Sequence, residues 1–285
     1  MTLPVVLAAV AAVLFAAANN LQRQAAAQVP ADGYGPFRLI LRLARAPRWL
    51  AGGACAVGGL ACQARALTEG GVILVQAVIA STLVHSLIME AAVERRRPAA
   101  VQVGGAVSVV AGILLLVGVG RPEAGDAGTS LWQAAPAWAV VGLAGGGALL
   151  RASVRPSGRA TAILLGSAAG ACFAVDAVFL RQLATAFEPL DVPTLVANGV
   201  GFAVASSVGN LAIQRGFQLA PLRHVLPAMA ATEPLVAFAA GWLLFGERLQ
   251  DGARAVPAIG GGLVLLVAGV LLCALRGTVP TAPHT

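Results

Sequence analysis

Apolar residues in this chain come in long runs, not in alternating positions or narrow stripes. Nine runs stand out: 3–22, 49–67, 70–90, 99–120, 133–152, 160–182, 192–215, 222–246 and 254–275. Each holds about 20 residues with few or no charges, the length of helix that crosses a bilayer. Backbone groups inside lipid must be satisfied within the segment, so the runs predict helices. Strands of a barrel would alternate polar and apolar, and these do not. The connections are short and rich in Gly and Pro, leaving no room for a soluble module.

Composition supports the same class. The chain is 58% hydrophobic and 11% charged, with mean hydropathy +0.84. Soluble domains carry about 25% charged residues. All basic residues other than three histidines are arginines, 19 of them with no lysine, as expected of a GC-rich bacterial genome. The net charge of +7 points to an anionic membrane surface, not to nucleic acid, because juxtamembrane arginine is attracted to anionic lipid. Cys55, Cys62, Cys172 and Cys273 lie inside apolar runs without C-x-x-C spacing, so they read as small packing residues. The first run has no basic residue ahead of it, which argues against a signal peptide.

Arginine placement predicts the orientation. Arg23, Arg38, Arg42, Arg45, Arg48, Arg95, Arg96, Arg97, Arg151, Arg155, Arg159, Arg215, Arg223 and Arg276 follow the odd-numbered runs. Arg65, Arg121, Arg181, Arg248 and Arg254 fall on the other side, among seven acids that include Glu69, Glu123 and Glu247. The positive-inside rule then puts the N-terminus outside and the C-terminus in the cytoplasm of a bacterial cell membrane. Arg38, Arg42, Arg45 and Arg48, in "FRLILRLARAPRW", would face the anionic inner leaflet, either on an interfacial helix or as a plain topology anchor.

The runs also repeat. "FAAANNLQRQ" from Phe15 returns as "FAVDAVFLRQ" from Phe173, and "GGAVSVVAGILL" from Gly104 as "GGLVLLVAGVLL" from Gly261. Gln63 matches Gln214, and Glu94 matches Glu247 at an offset of 153. Residues 1–120 are thus expected to recur as 160–275, with 133–152 as a linking helix. An odd linker starts the second copy from the opposite side. The expectation is an all-α, nine-helix bundle with an inverted four-plus-four repeat, an architecture of secondary transporters whose sites lie near the midplane.

The stretch "EPLVAFAAGWLLFGERLQ" followed by "AIGGGLVLLVAGVLL" resembles the last two helices of EamA-type carriers of the drug/metabolite transporter superfamily. Glu233-Pro234, the "FGER" turn and the glycine-rich last helix carry the likeness. Those carriers usually have ten helices. The nine counted here are similar to the NIPA-type magnesium transporters, relatives that also have nine. The resemblance implies transport of a metabolite, a drug or, in that branch, a metal ion.

Polar residues inside the runs are the candidate pathway. An acid at a helix centre opposes insertion by about 2.5–3.5 kcal/mol, so Asp176 is a functional hypothesis by default. Its repeat counterpart is Ala18, beside Asn19 and Asn20. Glu233 precedes Pro234, which frees a carbonyl one turn earlier. Gln76, Asn198 and Asn210 could line the same cavity. The structural alternatives are a hydrogen-bonded carboxyl for Asp176, a packing kink for Glu233 and an interior hydrogen bond for His85. "GSAAG" at Gly166–Gly170 has the spacing of close helix packing.

No H-E-x-x-H, G-x-S-x-G or P-loop is present, so neither an enzyme nor a cofactor is expected. The leading expectation is a secondary carrier of a small solute, working by alternating access and exchanging substrate for protons at Asp176 and Glu233. A magnesium transporter is the alternative, and a non-transporting scaffold the second. Substrate identity, direction of transport and homodimer formation stay open.

Overall fold

The computed structural model describes residues 2–27, 45–93, 95, 97–125, 135–154, 159–186, 190–219, 222–249 and 255–274. Among them it is a helical bundle without strands. The helices are α1 (Thr2–Ala27), α2 (Pro47–Ile79), α3 (Thr82–Val93), α4 (Ala100–Gly118), α5 (Ala135–Val154), α6 (Arg159–Ala186), α7 (Val192–Leu219), α8 (Leu222–Phe245) and α9 (Ala255–Ala274). All but α3 are long and apolar enough to cross a membrane. The proposed interfacial segment around Arg38 and Arg42 lies outside the described residues.

The second and third predicted spans meet at a reversal inside the range of α2. Helix α2 continues past the expected break, but Gly71 has φ +71°, outside helical geometry. Only glycine takes up that conformation without strain. Gly70 sits against Pro4 near the start of α1, because a Cβ there would lie 2.5 Å from the proline Cβ. Earlier in α2, Gly59 meets Phe15 and Gly52 meets Ala18 and Gln22. After the turn, the Ser86 carbonyl in α3 accepts from Asn20 at 3.4 Å. The chain therefore runs up along α1, reverses at Gly71 and returns to the depth of Asn20. The returning limb is interrupted at Ala80–Ser81, between Val72–Ile79 and α3.

One helix forms the axis. In the best 18-residue window of α6, 72% of the residues are buried, against 28–33% for the other spans. Its sequence explains why. Ala and Gly on every face let neighbours approach, and "GSAAG" does so against α8. A Cβ at Gly166 would lie 2.4 Å from the Val225 carbonyl, and one at Gly170 2.3 Å from that of Met229. Helix α7 packs on the same axis, where Gly201 and Gly209 make room for Phe179 and Phe173. The linking helix α5 widens to π-helix at Val141–Gly146 and sets Trp138 against Phe179 in a tilted ring pair, centroids 5.3 Å apart.

Helices α4 and α9 form a separate close pair. Gly105 faces the Gly269 carbonyl and Gly112 the Gly262 carbonyl, and a Cβ at either would come within 2.8 Å of backbone. The outer surface is apolar: Leu143 is 80% exposed, Leu243 70% and Val264 67%. Such a surface suits lipid and not water. The protein is a multi-pass helical membrane protein.

Candidate functional site

A cavity of about 450 Å³ opens at the middle depth of the helices. One wall comes from the first half of the chain, with Phe15, Asn19, Gln63 and Gln76, and the ends of the Ala80–Ser81 interruption. The other comes from Phe173, Asp176, Phe202, Glu233 and Pro234. Phe15 and Phe173, the first residues of the repeated stretch, face the same space.

The sequence-predicted residues separate into two groups. Asp176, Glu233, Asn19 and Gln76 line the cavity. Asn20, Asn198 and Asn210 do not. Asn20 is buried and donates to Ala16 O at 2.9 Å. Asn198 is also buried, but its amide donates to Thr194 O at 3.0 Å on its own helix. Asn210 is exposed and donates to Ser206 O at 2.8 Å. An amide that closes a bond to the turn before it needs no pathway to satisfy it. His85 likewise bonds the Ser81 carbonyl through Nδ1 at 2.8 Å.

Asp176 has one oxygen fixed and one unoccupied. Its Oδ2 accepts from Ser206 Oγ on α7 at 2.8 Å, while Oδ1 is buried without a hydrogen-bond partner. Gln76 Oε1 and Thr82 Oγ1 are unpartnered too. Glu233 stands on α8 one residue before Pro234, which has no N–H to give the Ala230 carbonyl; Ala230 also lines the cavity. Helix α8 nonetheless continues through Pro234 to Phe245. The interrupted helix is the one that carries Gln76; at the 153-residue offset of the expected match between Glu94 and Glu247, Ala80–Ser81 would align with Glu233–Pro234.

At the end of the bundle near Pro4, Arg181 and Glu247 form a buried ion pair, each 1% exposed. The sequence reading had placed both at an aqueous face; the structure removes both from water. Glu247 Oε1 also accepts from Val72 N–H at 2.5 Å and Oε2 from Ile73 N–H at 2.8 Å. These are the first amides after the Gly71 turn, so the carboxylate caps a helix N-terminus where such amides lack partners. Gly71 and Gly241 leave the slot for it, since a Cβ at either would lie 2.7 Å from a carboxylate oxygen. Arg181 Nη2 donates to Gly125 O at 2.7 Å, and its guanidinium lies 4.3 Å from the centre of the Phe245 ring. The pair thus joins the 119–125 connection, α2, α6 and the turn after α8.

Among the described residues, no group of three or more His, Cys, Asp or Glu side chains is placed to hold a metal ion.

An uncharacterized protein of Corynebacterium glutamicum is similar to this chain, 28% identical over 280 residues that cover 94% of this chain and 96% of the relative. No protein-family model and no solved structure matches the chain.

Proposed function

We propose that the protein is a secondary transporter, an EamA-like carrier of the drug/metabolite transporter superfamily, moving a small solute across the cytoplasmic membrane by alternating access. The observation that carries this reading is one mid-depth cavity walled by both halves of the chain, into which two acids from different helices, Asp176 and Glu233, are built. A membrane scaffold has no use for acids at that depth, where they oppose insertion.

Contacts of the kind that an inverted repeat would produce support the reading. Phe15 seats against Gly59 as Phe173 seats against Gly209, and α4 and α9 meet through reciprocal glycines. In such folds the two halves rock about a central site. The Arg181–Glu247 pair closes one end of the bundle, and the arginine distribution makes that end external.

Proton exchange is the coupling proposed. An acid in the cavity can take up a proton facing one side and release it facing the other, and substrate competes for the same group. The magnesium reading needs several oxygen ligands around a hydrated ion, and the cavity supplies two carboxylates. A flux screen in proteoliposomes, with and without an imposed pH gradient, tests the proposal. Protein-dependent, gradient-driven flux of at least one small solute is expected; its absence across metabolite, amine and divalent-cation panels would refute the carrier.

A further inference from the structure

Among the described residues that line the cavity, none is Arg, Lys or His, while two are carboxylic acids. Arg181, five residues beyond Asp176, is turned into its pair with Glu247. Gln76 is 5% exposed, yet its Oε1 bonds nothing, and the same holds for Asp176 Oδ1 and Thr82 Oγ1. An amide oxygen and a carboxylate oxygen can only accept, and a hydroxyl can do so as well. The rest of the wall is mostly apolar and aromatic, with Phe15, Phe173, Phe202 and Met229, and adds the neutral polar side chains of Asn19, Gln63 and Ser86.

Each class of small solute meets this lining differently. An organic anion brings negative charge to two acids with no cation to answer it. A zwitterionic amino acid fills the acceptors with its ammonium but finds only the neutral donors of Asn19, Gln63 and Ser86 for its carboxylate, beside two acids. A quaternary ammonium has the right charge and can lie on the aromatic faces, but it has no N–H for the unpartnered oxygens. A primary ammonium has three N–H donors and a positive charge. Buried acceptors left unfilled are costly, so a ligand that fills them is favoured over one that only fits. The volume, about 450 Å³, is in the lower part of the roughly 300–1,000 Å³ typical of small-molecule pockets.

We propose that the cavity binds a protonated primary amine carried on an aryl or alkyl body. Asp176, Gln76 and Thr82 are its acceptors, and Phe15, Phe173 and Phe202 surround the apolar part. This rests on the cavity being the carrier's substrate site, and it sets the substrate class that the carrier reading leaves open.

Equilibrium binding to the full-length protein in detergent, at a pH where free carboxyls are ionised, tests it with one phenyl series. Phenethylamine is expected to bind at least about tenfold more tightly than phenethyltrimethylammonium, phenylalanine or phenylpropionate. Gln76→Leu should weaken phenethylamine about tenfold and leave the quaternary analogue unchanged, a split that general unfolding cannot produce. Asp176→Asn should weaken both cations. Tighter binding of phenylpropionate or phenylalanine, reduced by substitutions in the cavity, overturns the amine class while the carrier stands. Equal affinity for the primary and quaternary amines overturns the role of the unpartnered acceptors, and with it the proposal. Binding of none of the four also overturns it, and the flux screen then decides the carrier reading by itself.

Discussion

Arg181 and Glu247, 66 residues apart, meet in a buried ion pair whose carboxylate also caps the helix that begins at Val72. Removing one member of such a pair leaves a charge buried and unanswered, which costs about 3–5 kcal/mol. Glu247→Ala and Arg181→Met should each lower stability on that scale in denaturation from mixed micelles. The double variant should lose less than the two losses combined, with a coupling of about 0.5–3 kcal/mol. Additive losses would mean that the two side chains do not act as a unit.

Two glycines in one chain should respond in opposite directions. Gly71 has φ +71°, and a Cβ there would press on Glu247 Oε1. Gly71→Ala should cost about 1–3 kcal/mol from a positive-φ backbone that only glycine adopts readily, and more as the carboxylate is displaced. Gly104, in α4, has nothing within 4 Å of an added Cβ. Gly104→Ala should be neutral or stabilising by up to about 1 kcal/mol, because alanine favours helix. Thermal unfolding of the purified variants checks both signs.

The acids of the cavity give a functional expectation. Asp176→Asn and Glu233→Gln keep the shape of each side chain and remove its charge. Both variants should insert and fold, while pH-gradient-driven flux is lost in the first and lost or shifted in pH dependence in the second. Full pH-driven flux in the doubly neutralised protein would leave both acids as packing groups.

Orientation is checked at the ends of α4. Arg95 precedes that helix and Arg121 follows it. A cysteine at position 121 should react with an impermeant maleimide added to intact cells, and one at position 95 only after the membrane is opened. The reverse pattern would invert the arginine-based orientation and place the Arg181–Glu247 end in the cytoplasm.

The helices were legible because lipid imposes one crude requirement, a charge-free run of sufficient length. Even the reversal at Gly71 fell at an expected span boundary. Which face of each helix looks inward was not legible. Helices surrounded by lipid and protein are apolar all round, so no polar stripe marked Asn198 or Asn210 as lying off the cavity. Asp176 and Glu233 could be singled out because their cost in lipid does not depend on facing. The ion pair was hidden for another reason. "FGER" reads as a water-facing turn, and only the distant amides of Val72 and Ile73 make it an interior one.

The span between those partners also sets an order for the making of the protein. As the chain leaves the ribosome, Arg181 is made 66 residues ahead of Glu247. Until the turn after α8 arrives, that guanidinium has no acidic mate, and Val72 and Ile73 have no cap. The final closure of the bundle is therefore a late event, completed only when the last hairpin inserts. A nascent chain stopped ahead of Glu247 would lack α9 as well as the carboxylate, and would leave bare a polar seam that the finished protein conceals.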